Sequence, residues 1–224
     1  MSRVLVIGDT HCPVMAEGYI DFLRDIYKGW QCNAVIHIGD VVDWSAISYH
    51  EKNPNCPSAG DEYELAKKQV AQLVAAFPRV TVMTGNHDDL LKRQARSAGI
   101  PEQMIRSYAE VWNTPHWDWK PRFTNFFFDG VCYRHGDKGK GGQQAALKNA
   151  KDQFCSLVQG HNHSQAGVEY YSNSKGSIFA LSTGCGIDVE AAAMDYGQRF
   201  TAKPVLGCGV VIDGKHAYYE QMAI

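Results

Sequence analysis

Continuous apolar runs alternate with helically spaced apolar residues along the first hundred positions of the chain. The runs predict buried strands at 3–9, 33–40 and 79–83, and the helical spacing predicts helices over 16–30, 59–77 and 89–98. Strands that are apolar throughout are typical of parallel sheets, because helices cover both faces and neither face meets water. The β-α-β-α-β-α order therefore predicts a parallel sheet with helices packed against it.

The helix predicted over 59–77 has signals at both of its ends. Ser58 is a candidate N-cap residue, and Asp61 suits the first turn, where negative charge complements the helix dipole. Pro78 follows the last helical position and cannot continue the helix. Because both ends of the segment are marked, we expect a helix over 59–77.

The second half of the chain predicts a different kind of strand. Asp129-Gly130 lies between two apolar runs, and Asp213-Gly214 lies within the closing segment 205–222, so both predict hairpins. Further strands are predicted at 154–161, 168–172 and 177–183, after a helix over 142–151. We expect these strands to be mostly antiparallel. The predicted fold class is α/β, an α/β/β/α sandwich of two mixed sheets flanked by helices, and with no linker in sight we expect one domain over 1–224.

Composition and charge narrow the functional classes. The 224 residues are 45% hydrophobic and 21% charged, with a net charge of −2, which gives no support for a dedicated non-specific nucleic-acid binder. No apolar run approaches the roughly 20 residues that cross a bilayer, and the first residues lack a leader pattern, so we expect a cytoplasmic protein with no membrane partner. The seven cysteines form no C-x-x-C pair and are interpreted as reduced, mostly buried thiols.

Polar residues collect where five of the predicted strands end. The segments are GDTH, GDVVD, GNHDD, RHGD and GHNH, and they supply Asp9, His11, Asp40, Asp43, Asn86, His87, Asp88, His135, His161 and His163. A single D-x-H or H-x-H segment is usually a surface accident or a satisfied polar pair. Five such segments in order, each after an apolar strand, are improbable by chance, and ligands of open sheets collect at the carboxyl ends of strands.

The donor types in these segments predict a pair of metal ions. Imidazole, carboxylate and amide donors without cysteine suit Mn²⁺, Zn²⁺, Fe or Ni²⁺ and discriminate poorly among them. Seven donors are too many for one ion, and a shared carboxylate would allow two divalent ions about 3.5–4 Å apart. We expect two such ions, with Mn²⁺ as the first choice.

The order GD-x-H, GD-x-x-D, GNH-[DE], H-G and GH-x-H resembles the calcineurin-like metallophosphoesterase family over residues 5–163. The resemblance implies a two-sheet sandwich with a dinuclear metal centre. It places Asp9, His11 and His163 on one metal, Asn86, His135 and His161 on the other, and Asp40 between the two. It also implies that His87 faces the substrate as an acid, while Asp43 orients the His87 ring.

The implied reaction is phosphoester hydrolysis by in-line attack of a metal-bridging hydroxide. Trp44-Ser45 follow the second motif where protein phosphatases carry Arg-Gly, and Asp88 stands where they carry Glu, so both positions argue against that branch. The GNHD ending favours a phosphodiesterase that acts on a nucleotide or a nucleic acid. A phosphomonoesterase on the same site is the first alternative, and a non-catalytic binding module is the second.

Several residues have weaker interpretations. Substrate contacts are considered for Trp44, His50, Arg134, Lys138 and Lys140, although packing or a solvated loop explains each of them as well. Asp88 is interpreted as an N-terminal residue of the following helix, and His37 as a satisfied core histidine. The aromatic segment 112–128 favours a core or a homo-oligomer interface over base stacking.

Overall fold

The structure, a computed structural model, describes residues 1–50, 52–188, 190–191 and 201–223. Its first sheet contains six strands in the order β11-β10-β1-β2-β3-β4. The strands are β1 (Arg3–Ile7), β2 (Ala34–His37), β3 (Thr81–Met83), β4 (Asp118–Lys120), β10 (Gly207–Ile212) and β11 (His216–Gln221). Strands β1 to β4 are parallel, as the apolar runs predict for the first three. Strand β4 is not predicted, because its sequence DWK is not an apolar run.

Four helices connect the parallel strands of this sheet. They are α1 (Tyr19–Gly29), α2 (Ala59–Ala76), α3 (Leu90–Ser97) and α4 (Tyr108–Trp112). The predicted cap of α2 is confirmed, since the Ser58 side chain accepts a hydrogen bond from the backbone N–H of Asp61 at 3.3 Å. Ser107 and Glu110 form a reciprocal capping box that fixes the start of α4.

The second sheet contains five strands in the order β5-β6-β7-β9-β8. The strands are β5 (Phe126–Phe128), β6 (Val131–Tyr133), β7 (Leu157–Gln159), β8 (Ala166–Asn173) and β9 (Gly176–Thr183), and α5 (Ala145–Gln153) lies between β6 and β7. The expectation of mostly antiparallel strands is wrong at the centre of this sheet, where β6, β7 and β9 are parallel. The reason is α5, because a helical crossover returns the chain to the same direction.

The closing hairpin extends the first sheet. Strand β10 pairs antiparallel with β1, and β11 pairs antiparallel with β10, after the predicted turn at Asp213-Gly214. Both sheets are therefore mixed, and the predicted two-sheet sandwich flanked by helices is confirmed. Within the residues described, no helix is both long and apolar enough to cross a bilayer.

Strand β1 shows why the central strands are apolar throughout. Val4 and Val6 point into the core between the two sheets, where they join Tyr133 and Leu181 of the second sheet. Leu5 and Ile7 point to the opposite face of the sheet, against the helices. Because both faces are covered, the carboxyl ends of the strands are the part of this sheet that polar groups and ligands can use.

Candidate metal centre

The candidate ligands converge at the edge where parallel strands of both sheets end. The residues follow β1 (Asp9 and His11), β2 (Asp40), β3 (Asn86), β6 (His135) and β7 (His161 and His163). Parallel strands deliver their carboxyl ends to one edge, so residues far apart in sequence become neighbours. The parallel centre of the second sheet is therefore as important for this site as the first sheet.

Short distances join the candidate ligands into one cluster. Asp40 Oδ2 lies 3.2 Å from His135 Nε2 and 3.7 Å from His11 Nε2. Asp9 Oδ2 lies 3.3 Å from His163 Nε2, and Asp9 Oδ1 lies 3.5 Å from His135 Nδ1. The remaining two side chains adjoin His135, whose Nε2 lies 3.0 Å from Asn86 Oδ1 and whose ring centroid lies 5.0 Å from that of His161.

Two groups of side chains in the described residues have donor atoms close enough to share one ion. One group is His11, Asp40 and His87, and the other is Asp40, His135 and His161, each with donor atoms within 4.8 Å of one another. Asp40 belongs to both groups. A carboxylate shared between two groups is the arrangement that a bridging ligand requires.

Three atoms of the cluster that could bind a metal are buried and have no hydrogen-bond partner among the described residues. They are Asp9 Oδ1, His11 Nε2 and His163 Nε2. Leaving a buried polar atom unsatisfied costs about 1–3 kcal/mol. A divalent cation would satisfy all three atoms, so the residues present fit a metal centre.

Glycines let the backbone approach the two central carboxylates. A Cβ atom on Gly85 would overlap Asp40 Oδ1, and one on Gly160 would lie 2.7 Å from Asp9 Oδ1. The same carboxylates are held by backbone N–H groups, because His87 donates to Asp40 at 2.8 Å and His161 donates to Asp9 at 2.7 Å. Glycine beside each polar residue thus allows close contact between loops.

Asp43 contacts two histidines. Its Oδ1 lies 2.7 Å from His11 Nδ1 and 3.2 Å from His87 Nδ1, and its carbonyl oxygen lies 2.6 Å from His87 Nδ1. Burial opposes ionisation of Asp43, but these two imidazole partners outweigh it and hold the pKa of the carboxyl well below its usual range. The sequence predicts the contact with His87 and misses the contact with His11.

His87 is mostly buried, with 13% of its side chain exposed. Its ring centroid is 4.5 Å from that of His11. Burial favours the neutral ring, but the carboxylates of Asp40 and Asp43 outweigh burial and raise the pKa of His87 to about 10. In the metal-free protein this imidazole therefore carries a proton at neutral pH.

The family profile of the calcineurin-like phosphoesterases matches residues 2–181. The chain belongs to the calcineurin-like phosphoesterase family. Family membership supports metal-dependent phosphoester hydrolysis and a dinuclear metal requirement, in agreement with the donor cluster. A search of curated proteins gave no significant match.

Several solved structures resemble this chain at low sequence identity. A metallophosphoesterase from Sphaerobacter thermophilus is 13% identical, with a TM-score of 0.48 over 99% of this chain and 88% of that chain. Vacuolar protein sorting 29 from Cryptosporidium parvum is 15% identical, with a TM-score of 0.46 over 100% and 98%. YfcE, a phosphoesterase from E. coli, is 12% identical, with a TM-score of 0.44 over 93% and 87%.

Asp88 does not serve the helix that follows it, so that expectation is wrong. Helix α3 begins at Leu90, and the buried Asp88 carboxylate accepts hydrogen bonds from the backbone N–H groups of Gly85 at 2.8 Å, Val41 at 2.9 Å and Val42 at 3.3 Å. Burial, followed by repulsion from Asp40, raises the pKa of Asp88 to about 7. The side chain ties the loop after β2 to the loop after β3.

Three of the weaker substrate candidates have partners away from the cluster. Trp44 is buried, and its ring stacks on Tyr63 with centroids 6.4 Å apart. Arg134 is buried and reaches Gln159 Oε1 at 3.4 Å, and the Lys140 ammonium pairs with Asp152 at 2.8 Å. His50 and Lys138 are exposed. The contacts of Trp44, Arg134 and Lys140 are therefore with residues other than the candidate ligands.

The core interpretations of His37 and of two tryptophans are confirmed. His37 is fully buried, with Nε2 lying 3.1 Å from Thr10 Oγ1 and Nδ1 accepting from the Gly39 N–H. In the aromatic segment, Trp112 and Trp117 belong to the core between the first sheet and the helices. Phe123 and Phe127 of the same segment are exposed, so the core interpretation is confirmed for these tryptophans and not for the whole segment.

Sequence reasoning missed an ion-pair network beside the site. Arg122 Nε lies 2.7 Å from Asp137 Oδ2, and Arg122 Nη1 lies 3.4 Å from Asp89 Oδ2. Asp137 stands two residues after His135, so the network holds the loop after β6 against the start of α3. The only sequence signal is an acidic residue close to a motif, which does not identify its partner.

Proposed function

We propose that this protein is a dinuclear metal-dependent phosphodiesterase that hydrolyses a phosphodiester bond of a nucleotide or a nucleic acid. The observation that supports it best is the convergence of seven candidate ligand side chains at one edge of the sheets, with the His87 imidazole beside them. The GNHD ending of the third motif, which resembles the phosphodiesterase and nuclease branches of the family, favours a diester over a monoester. In the described residues, only histidines lie within ion-pair distance of Asp9, Asp40 and Asp43.

In this proposal, the donor cluster provides two metal sites with one shared ligand. Asp9, His11 and His163 would hold one ion, Asn86, His135 and His161 the other, and Asp40 would contact both. Burial lowers the pKa of His11 and of His161, so both rings are neutral and ready to bind a cation. When bound, two Mn²⁺ ions would supply Lewis acidity that activates water and offsets phosphate charge.

The other groups of the chain hold the ligands and move a proton. Asp43 engages His11 Nδ1 and thereby presents His11 Nε2 to the cluster. Asp43 also engages His87 Nδ1, which leaves His87 Nε2 available to protonate the leaving oxygen. An alkoxide is a poor leaving group, and such general-acid catalysis contributes about 10²–10⁴-fold. Asp43 is the positioning residue and His87 the proton donor in this proposal.

A comparison of two chromogenic esters tests the proposal. The protein is loaded with Mn²⁺, and kcat/KM is measured on bis-p-nitrophenyl phosphate and on p-nitrophenyl phosphate. We expect faster turnover of the diester and loss of both activities on chelation. Turnover of the monoester alone would overturn the diester assignment, and no turnover despite two bound Mn²⁺ ions would overturn catalysis. A panel of cyclic nucleotides, dinucleotides, single-stranded DNA and RNA then identifies the substrate class.

A further inference from the structure

Cys132, in the middle of β6, lies beside Cys155, which precedes the start of β7 by two residues. The Cys132 backbone N–H donates to the Ser156 carbonyl at 2.9 Å, which places Cys132 beside Cys155. Both side chains pack in one small apolar cluster beneath α5, where Cys155 Sγ also lies 3.9 Å from Gln153 Oε1. Cys132 is fully buried and Cys155 is half-buried, so one sulfur is reachable from solvent and the other is not.

A buried arginine without a carboxylate partner adjoins this pair. Arg134 has only 5% of its surface exposed, and its Nε is buried with no hydrogen-bond partner. Among the described residues, no carboxylate lies within ion-pair distance of its guanidinium. Burial lowers the pKa of Arg134, and the neighbouring Cys132 and Cys155, followed by the more distant Asp137 and Asp152, oppose that effect. Burying an unpaired cation is costly. A thiolate at Cys155 would offset that cost.

The ionisation of the two thiols agrees with this geometry. The hydrogen bond from Cys132, reinforced by the charge of Arg134, outweighs burial and lowers the pKa of Cys155 to about 7. The same contact with Cys155, followed by burial, raises the pKa of Cys132 far above its usual range. One sulfur is thus poised as a nucleophile and the other as its protonated neighbour.

We propose that Cys132 and Cys155 form a redox-active dithiol that hydroperoxides oxidise to an intramolecular disulfide. The Cys155 thiolate attacks a peroxide oxygen, the O–O bond breaks, and the leaving oxygen takes up a proton, which gives a sulfenic acid on Cys155. The Cys132 sulfur then attacks the Cys155 sulfur, the S–O bond breaks, and hydroxide departs with the Cys132 proton as water. The two thiols lose two electrons in total, and these reduce the peroxide.

The pair is separate from the metal centre. Cys155 precedes β7, whereas His161 follows the end of that strand, so the length of β7 lies between them. The reaction therefore needs no bound cation and can be measured in the metal-free protein. Its products are identified by mass, independently of phosphoesterase activity.

Oxidation of the folded wild-type protein tests the proposal. The protein is treated with a small excess of hydrogen peroxide in the presence of chelator, quenched with N-ethylmaleimide, and digested for mass spectrometry. We expect a loss of two hydrogens and a peptide that joins Cys132 to Cys155, while half-buried Cys56 remains alkylated. Recovery of Cys155 fully alkylated and Cys132 as a free thiol, or cross-links spread over several cysteines, would overturn the proposal.

Substitutions separate the role of Cys155, which attacks the peroxide, from that of Cys132, which completes the disulfide. With Cys132→Ser, we expect the reaction to stop at a sulfenic acid on Cys155 that dimedone traps, whereas Cys155→Ser should leave Cys132 unreactive because it is buried. With Arg134→Lys the rate should persist, and with Arg134→Met it should fall. If these variants fail to fold, the pH profile of Cys155 alkylation in the wild type decides. A midpoint near 7 supports the proposal, and a midpoint at an ordinary thiol value of about 8.5 contradicts it.

Discussion

At the residue scale, the proton on His87 makes the clearest prediction. A His87→Gln variant cannot protonate the leaving oxygen, so cleavage of a diester with an alkoxide leaving group, such as a dinucleotide, should fall by about 10²–10⁴-fold. Nitrophenolate leaves without much help, so turnover of bis-p-nitrophenyl phosphate should fall far less. The measurement is the ratio of kcat on the two substrates. An equal loss on both, at unchanged metal content, would contradict the role of proton donor.

Asp43 makes a second prediction at this scale, because it contacts both His11 and His87. Asp43→Asn should weaken Mn²⁺ binding by about 10–100-fold, the usual effect of losing an outer partner of a ligand histidine. It should also lower the pKa of His87, which histidine NMR can follow in the metal-free protein. Asp21→Asn, which changes an exposed carboxylate on α1, is the matched control. Mn²⁺ affinity equal to that of the control would contradict the role of Asp43 in holding His11.

At the element scale, Asp88 joins the loops after β2 and β3 by accepting three backbone hydrogen bonds. Asp88→Ala would leave these buried N–H groups unsatisfied, at about 1–3 kcal/mol for each group that finds no new partner. We expect the free energy of unfolding to fall by about 2–4 kcal/mol, measured by urea denaturation. Asp21→Ala is again the control. A loss below about 0.5 kcal/mol would show that the loops are held by other contacts.

The close contact at Gly85 gives the other prediction at this scale. A Cβ on Gly85 would lie 2.6 Å from the Asp40 backbone nitrogen as well as against its carboxylate, so the loop must shift. Gly85→Ala should therefore weaken Mn²⁺ binding and cost about 1–3 kcal/mol of stability. Gly29, the last residue of α1, has open space where its Cβ would lie, so Gly29→Ala should change neither quantity appreciably. Calorimetric Mn²⁺ titration and urea denaturation of the two variants provide the comparison.

The elements that sequence reasoning predicted are those whose signals are local. The apolar run before Asp9 and the Ser58 cap are each encoded within a few consecutive residues, and the strand β1 and the helix α2 that they predict are both present. Strand β4 and the role of Asp88 depend on partners distant in sequence, which no local pattern encodes. The parallel centre of the second sheet is different, because the predicted helix over 142–151 already implied a crossover. The donor residues could be named from the motifs, whereas the second contact of Asp43 required the folded backbone.

At the scale of the whole molecule, the donor cluster is incomplete without positive charge. Buried Asp9 and Asp40 face each other across His135, and their carboxylates, against the opposing effect of burial, raise the pKa of His135 to about 9. The metal-free protein therefore holds a proton on His135 at pH 7. A histidine must be neutral to bind a metal, so Mn²⁺ and this proton compete for the same site.

The last prediction follows from that competition. Mn²⁺ uptake at pH 7 should release about one proton from His135, and apparent affinity should rise up to about tenfold per pH unit from pH 7 until it levels off near pH 9. Calorimetry in two buffers of different ionisation enthalpy measures the released proton. Binding should also stabilise the fold by about 2.7 kcal/mol at a free Mn²⁺ concentration one hundred times Kd, which shifts Tm upward by several degrees. An affinity that is unchanged between pH 7 and pH 8 would show that no protonated histidine is displaced.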